Sequence, residues 1–134
     1  MSNYPGSAPV ADERIGRALR RGHLIDITTT GRRTGLARRI EIVFHVIEGR
    51  IYITGMASPR RRSWLANLEA EPRFTFHLKG PVQADLPAKA RIIDDELERR
   101  TIFREVVKTW TNQDVERMTA YSPLIEVTFE PLAA

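Results

Sequence analysis

Residues 23–54 read HLIDITTTGRRTGLARRIEIVFHVIEGRIYIT, and their periodicity sets the fold class. His23 to Thr30 is β-branched, with Ile25 and Ile27 two apart and so on one face of a strand. Gly31-Arg32-Arg33-Thr34-Gly35 is a turn between two strands, with glycines available for positive φ. From Arg39 to Ile47, Ile40, Ile42, Phe44 and Val46 alternate with Arg39, Glu41, Val43 and His45, the pattern of a half-buried strand. Glu48-Gly49-Arg50 is a hairpin turn into Ile51-Tyr52-Ile53-Thr54.

Working outward, the same period recurs. Phe74, Phe76 and Leu78 alternate with Arg73, Thr75, His77 and Lys79. Val82, Ala84, Leu86, Ala88, Ala90 and Ile92 form another strand, in which Pro87 predicts an edge or a bulge. Leu124 to Glu130 closes the series with Ile125, Val127 and Phe129 facing inward. Helical pattern is confined to four segments. Asp12 caps one to about Arg21, where Gly22 stops it, and another starts at Ser63 and ends at Pro72. Asp94-Asp95-Glu96 opens a third to about Trp110, with acid where the helix dipole favours it, and a short fourth spans about 113–120. Six alternating strands with few helices predict a mainly β, or α+β, domain: a closed or nearly closed barrel, which alternation alone does not separate from a sandwich.

Composition narrows the function. The 134 residues suit one domain, 12–134, preceded by a flexible tail at 1–11 rich in Pro, Gly and Ser. There is no cysteine, which excludes disulfides, thiolate metal sites and cysteine nucleophiles, and fits a cytoplasmic protein. No apolar run approaches the roughly 20 residues of a bilayer span. A net charge of +4 favours anionic partners: nucleic acid, acidic lipid or a phosphorylated cofactor.

Conventional catalytic sets are missing. His23, His45 and His77 lack metal-ligand spacing, so no metal is expected, and they read as residues on the polar sides of strands. No nucleophile elbow, phosphate loop or dinucleotide fingerprint is present. What remains is Thr28-Thr29-Thr30-Gly31-Arg32-Arg33-Thr34-Gly35 with Arg38 and Arg39. Hydroxyls, turn amides and guanidinium groups are what phosphate oxygens need, although an exposed hairpin with solvated arginines would read the same. A second cluster, Ser58-Pro59-Arg60-Arg61-Arg62-Ser63-Trp64, joins arginines to a helix start.

These segments resemble a known family. The run from Thr28 to Gly35 with Arg38 is similar to the TTTGRxSGxxR segment of the deazaflavin-dependent nitroreductases. Trp64-Leu65-Ala66-Asn67-Leu68-Glu69-Ala70-Glu71-Pro72 is similar to their WxxNLxANP segment, and the final Glu130-Pro131 matches too. The resemblance spans about residues 22–131. It implies a six-stranded split β-barrel related to the FMN-binding pyridoxamine phosphate oxidase fold. It implies coenzyme F-420, a deazaflavin with a phosphate and a polyglutamate tail, and hydride transfer to quinones, nitroaromatics or activated alkenes. On matching positions Arg32, Arg33 and Arg38 would bind phosphate and tail, with Thr30 and Gly31 close by. Gly55, Ala57 and Ser58 would lie along the ring and phosphate, and Trp64 would support the wall. Arg60 and Arg61 would extend the positive track.

The chain departs from that family in its short, arginine-rich loop 55–62 and in keeping only Tyr121 of the tyrosines before the last strand. Tyr121 is the one side chain named as proton donor. The expected partners are a small-molecule substrate, the flavin-type cofactor and a second copy of the chain. The rival readings are an FMN- or haem-binding barrel without turnover and a nucleic-acid-binding barrel. The latter is disfavoured because Phe74 and Phe76 face the core rather than offering a stacking platform. The arginine-bearing helix at 12–21 would at most support a weak peripheral membrane contact.

Overall fold

Alternation in the 23–54 stretch becomes three strands of a closed antiparallel barrel. The computed structural model describes residues 12–130. The expected tail at 1–11 and the proline at 131 lie outside these residues. The strands are β1 (His23–Thr30), β2 (Ala37–Ile47), β3 (Arg50–Thr54), β4 (Arg73–Leu78), β5 (Ala84–Ile92) and β6 (Leu124–Phe129). They pair in the order β1-β2-β3-β6-β5-β4. Three residue pairs, Asp26 with His77, Ile27 with Phe76 and Thr28 with Thr75, close the ring between β1 and β4.

The inward parity fills the barrel. Ile25, Ile27, Ile53, Phe76 and Ile125 are fully buried, each side chain contributing about 1.5–3 kcal/mol by leaving water. Phe76 meets Phe44 and Phe129 edge-on, with ring centroids 5.2 and 5.3 Å apart. Helices cover the outside: α1 (Glu13–Arg21), α2 (Ser63–Ala70), α3 (Glu96–Thr109) and α4 (Val115–Tyr121). Ile102, Phe103 and Val106 of α3 and Met118 of α4 form a second core with Tyr52, Ile93 and Leu124.

Acidic caps start three of these helices. Asp12, Asp95 and Asp114 accept from the backbone N–H groups of Arg14, Glu98 and Arg117 at 2.8, 2.8 and 2.9 Å. The helix begun by Asp95 thus starts at Glu96, within the acidic run that announced it. β2 starts two residues earlier than its apolar period, because Ala37 and Arg38 already pair with Thr30 and Thr29.

Pro87 is neither at a sheet edge nor in a bulge. It pairs with Thr75 in a closed barrel that has no free edge. Its carbonyl accepts from Glu130 N–H at 2.9 Å, so its nitrogen faces the same way, toward the end of β6, where the ladder runs out.

Candidate cofactor-binding site

The turn between β1 and β2 is tied by its own backbone. Gly31 N–H donates to Leu36 O and Gly35 N–H to Gly31 O, both at 2.8 Å. A Cβ on Gly31 would lie 3.0 Å from both Leu36 O and Thr34 Oγ1, and Gly35 has φ +72°, so both positions call for glycine.

From outside, α2 clamps this turn through one residue. Asn67 is buried, and its Oδ1 accepts from both the backbone N–H and Nη1 of Arg32 at 3.1 Å. Its Nδ2 donates to Thr29 Oγ1 at 3.2 Å. The Arg32 guanidinium also reaches Ser63 O at 3.5 Å. Trp64, Asn67 and Leu68 share the inward face of α2 at helical spacing, so docking the helix delivers the amide to the turn.

Between turn and helix lies a cavity of about 410 Å³. The turn contributes Gly31, Arg32, Arg33 and Thr34; the strands contribute Thr29, Arg38 and Ile40; α2 contributes Ser63, Trp64 and Asn67. Neither Arg33 nor Arg38 has an ion-pair partner among the described residues. Nearby arginines are committed elsewhere: Arg39 to Asp26 at 2.9 Å, Arg61 to Glu69, and Arg62, partly desolvated, to Met56 O. The cavity rim therefore carries positive charge available to an anion.

The structure thus brings Gly31, Arg32, Arg33, Arg38 and Trp64 together. Thr30, the last residue of β1, is adjacent in sequence but does not line the cavity. Gly55, Ala57, Ser58, Arg60 and Arg61 do not line it either. Ser58 N–H instead donates to Tyr121 O at 3.3 Å, and a Cβ on Gly55 would lie 3.2 Å from Pro123. Ser58 therefore sits with Tyr121, whose exposed ring lies under the Arg117 guanidinium at 5.6 Å, whereas Arg61 pairs with Glu69 of α2. Sequence reasoning assigned no role to Asn67. Its signal was a lone amide at the i+3 position between Trp64 and Leu68 on an otherwise apolar face.

Two histidines are more enclosed than strand parity suggested. His77 is buried, with Nδ1 2.7 Å from Asp85 Oδ1 and Nε2 2.7 Å from Thr28 Oγ1. His45 stacks on Trp110. No three His, Asp or Glu side chains among the described residues converge as metal ligands would.

The chain is thus a closed six-stranded antiparallel barrel with an arginine-rimmed cavity at the β1–β2 turn, whose charge suits an anion. The chain belongs to the F420H(2)-dependent quinone reductase family, whose model matches residues 9–129. It is accordingly an oxidoreductase that uses coenzyme F-420. No curated protein matches its sequence.

Solved structures repeat the fold. One is an F420-H2 dependent reductase, 23% identical, with a TM-score of 0.56 over 78% of this chain and 92% of that one. Another, described as a domain-swapped dimer, is 21% identical, with a TM-score of 0.59 over 86% and 94%. A Clostridium acetobutylicum protein related to general stress protein 26, of the pyridoxinephosphate oxidase family, has a TM-score of 0.67 at 9% identity over 88% and 82%. At these identities the likeness is one of fold, and that fold is the expected split barrel. None of the described helices is long and apolar enough to cross a membrane.

Proposed function

We propose that this reductase holds the phosphate and first tail carboxylates of F-420 on Arg32, Arg33 and Arg38, and passes a hydride to a small acceptor of the quinone, nitroaromatic or activated-alkene type. The observation that carries this reading is the pair of guanidinium groups, Arg33 and Arg38, that border a concave site without an ion-pair partner among the described residues, while Arg39, Arg61 and Arg62 are bonded elsewhere. The donor set fits the group: hydroxyls, a tight glycine turn and three arginines suit phosphate and carboxylate oxygens. Bound F-420 supplies the hydride. The chain's own residues bind and orient. Asn67 fixes Arg32, Trp64 walls the cavity, and Tyr121, whose backbone carbonyl accepts from Ser58 of the loop at 55–58, is our candidate to give a proton to a reduced acceptor.

The active species is a homodimer in this reading. The cavity, about 410 Å³, is near the low end of the roughly 300–1,000 Å³ of small-molecule sites. A tailed deazaflavin needs more enclosure than that, and a second copy supplies it. The domain-swapped relative supports the reading.

The experiment is a fluorescence titration of the protein with F-420 and with FMN at two salt concentrations, followed by turnover of reduced F-420 with a naphthoquinone. F-420 is expected to bind at least about ten-fold tighter, worth ~1.4 kcal/mol. That advantage should shrink as salt screens the tail, and oxidation should depend on the acceptor. Tighter FMN binding, or F-420 binding without turnover, would replace this reading with a flavin-carrying barrel.

A further inference from the structure

A larger cavity, about 610 Å³, lies between the end of α1, the end of β2 and the end of α3, and shares no lining residue with the cavity at the arginine turn. Two rings from distant parts of the chain form one wall. His45 of β2 and Trp110, which follows α3, stack with centroids 5.9 Å apart and planes at 27°. The His45 Nε2 is sheltered and has no hydrogen-bond partner. Burial holds its pKa down at about 4, so the imidazole is neutral near pH 7 and the stacked pair is an uncharged plate. Ile47 and Val106 add apolar sides.

The rim is charged. Arg20 and Arg21, the last turn of α1, have no ion-pair partner among the described residues. Lys108 is taken by Glu105 at 2.8 Å, leaving Glu48 as the opposing acid. A helix C-terminus accommodates about half a positive charge through its dipole. Two guanidinium groups exceed that, and the surplus is available to a ligand.

We propose that this groove is a second ligand site, for a planar aromatic anion whose ring lies against the His45–Trp110 pair and whose acidic group meets Arg20 and Arg21. The site stands on its own residues and does not depend on the reductase reading.

Naphthalene-2-carboxylate is a suitable probe, with 2-naphthylmethanol as its uncharged counterpart, and isothermal calorimetry on the full chain is the readout. We expect one saturable site for the acid, with the alcohol several-fold weaker at low salt. Arg21→Glu should weaken the acid by about ten-fold or more, as loss of a charge-assisted contact does. Trp110→Phe should keep the stack and the binding, whereas Trp110→Ala should lose both. Arg33→Glu, at the other cavity, should leave the titration unchanged. Absence of saturable binding, equal affinity in wild type and Arg21→Glu, or loss on Arg33→Glu alone would overturn the proposal. Should Trp110→Ala fail to fold, the comparison of Arg21→Glu with wild type decides by itself.

Discussion

At the scale of single residues, Asn67 and Arg33 offer a way to separate holding the proposed site from binding with it. Asn67 satisfies the Arg32 amide, the Arg32 guanidinium and the Thr29 hydroxyl. Asn67→Ala leaves these partners unpaired in a buried place, at a cost of about 1–3 kcal/mol. Chemical denaturation should register that loss, and F-420 affinity should fall with it. Arg33 is exposed and unpaired among the described residues, so Arg33→Glu should leave the denaturation midpoint within error. It should nevertheless weaken F-420 by roughly ten-fold or more, as a charge-assisted contact of about 1.5–3 kcal/mol implies. An unchanged Arg33→Glu affinity at moderate salt would mean the arginines are merely solvated. That Arg32, Arg33 and Arg38 gather at one turn was legible, because they lie within a few residues of each other in the sequence. Asn67 was not, because its role exists only once α2 docks on β1.

At the scale of elements, strand parity placed His45 on the outward face of β2, but parity does not say what covers that face. The C-terminal end of α3 does, bringing Trp110 against the ring. The consequence is a pH dependence with a definite sign. The unfolded chain protonates this histidine near 6.5, the native chain only near 4. Between those values the unfolded state binds more protons, so stability falls as pH falls from about 6.5 to about 4, and this contribution is level outside that window. The full shift corresponds to about 3 kcal/mol, which partial exposure of the ring reduces to about 2. His45→Phe keeps an aromatic partner for Trp110 without a titrating group. Its stability, followed by urea denaturation across this window, should therefore be flatter than wild type. An identical slope would place the histidine in water. A second element depends on one side chain in the same way. Arg99 donates to the carbonyls of Ile93, Met118, Thr119 and Ser122, seating the end of α4 and with it Tyr121. Arg99→Leu strands those carbonyls and should loosen the end of α4 that carries Tyr121, the proposed proton donor, as well as lower stability, visible as faster amide exchange across 115–123.

At the scale of the whole molecule, alternation told strands from helices because its period survives in each short segment. It could not choose barrel over sandwich. Closure rests on β1 meeting β4, residues such as Thr28 and His77 that lie 49 positions apart, and no local pattern encodes that pairing. Assembly is one level further removed, and it carries the last prediction. Leu36 and Met56 are each 60% exposed. One follows the arginine turn and the other follows Gly55, so both adjoin in sequence the segments proposed for the cofactor. Single exposed apolar residues are common and need no partner. Two that adjoin the segments proposed for the coenzyme, in a chain whose proposed cavity is small for it, are better explained as surface that a second copy covers. Light scattering at micromolar concentration should therefore give a dimer. Leu36→Glu and Met56→Glu together, introducing like charges across a two-fold interface, should shift it toward monomer. Because neither side chain belongs to the barrel core, the circular dichroism of the monomer should match wild type, while its F-420 affinity should drop with the lost enclosure. A variant that dissociates yet binds F-420 as tightly as wild type would show that one chain encloses the coenzyme alone, and a wild type that is monomeric with F-420 bound would remove the dimer from the reading altogether.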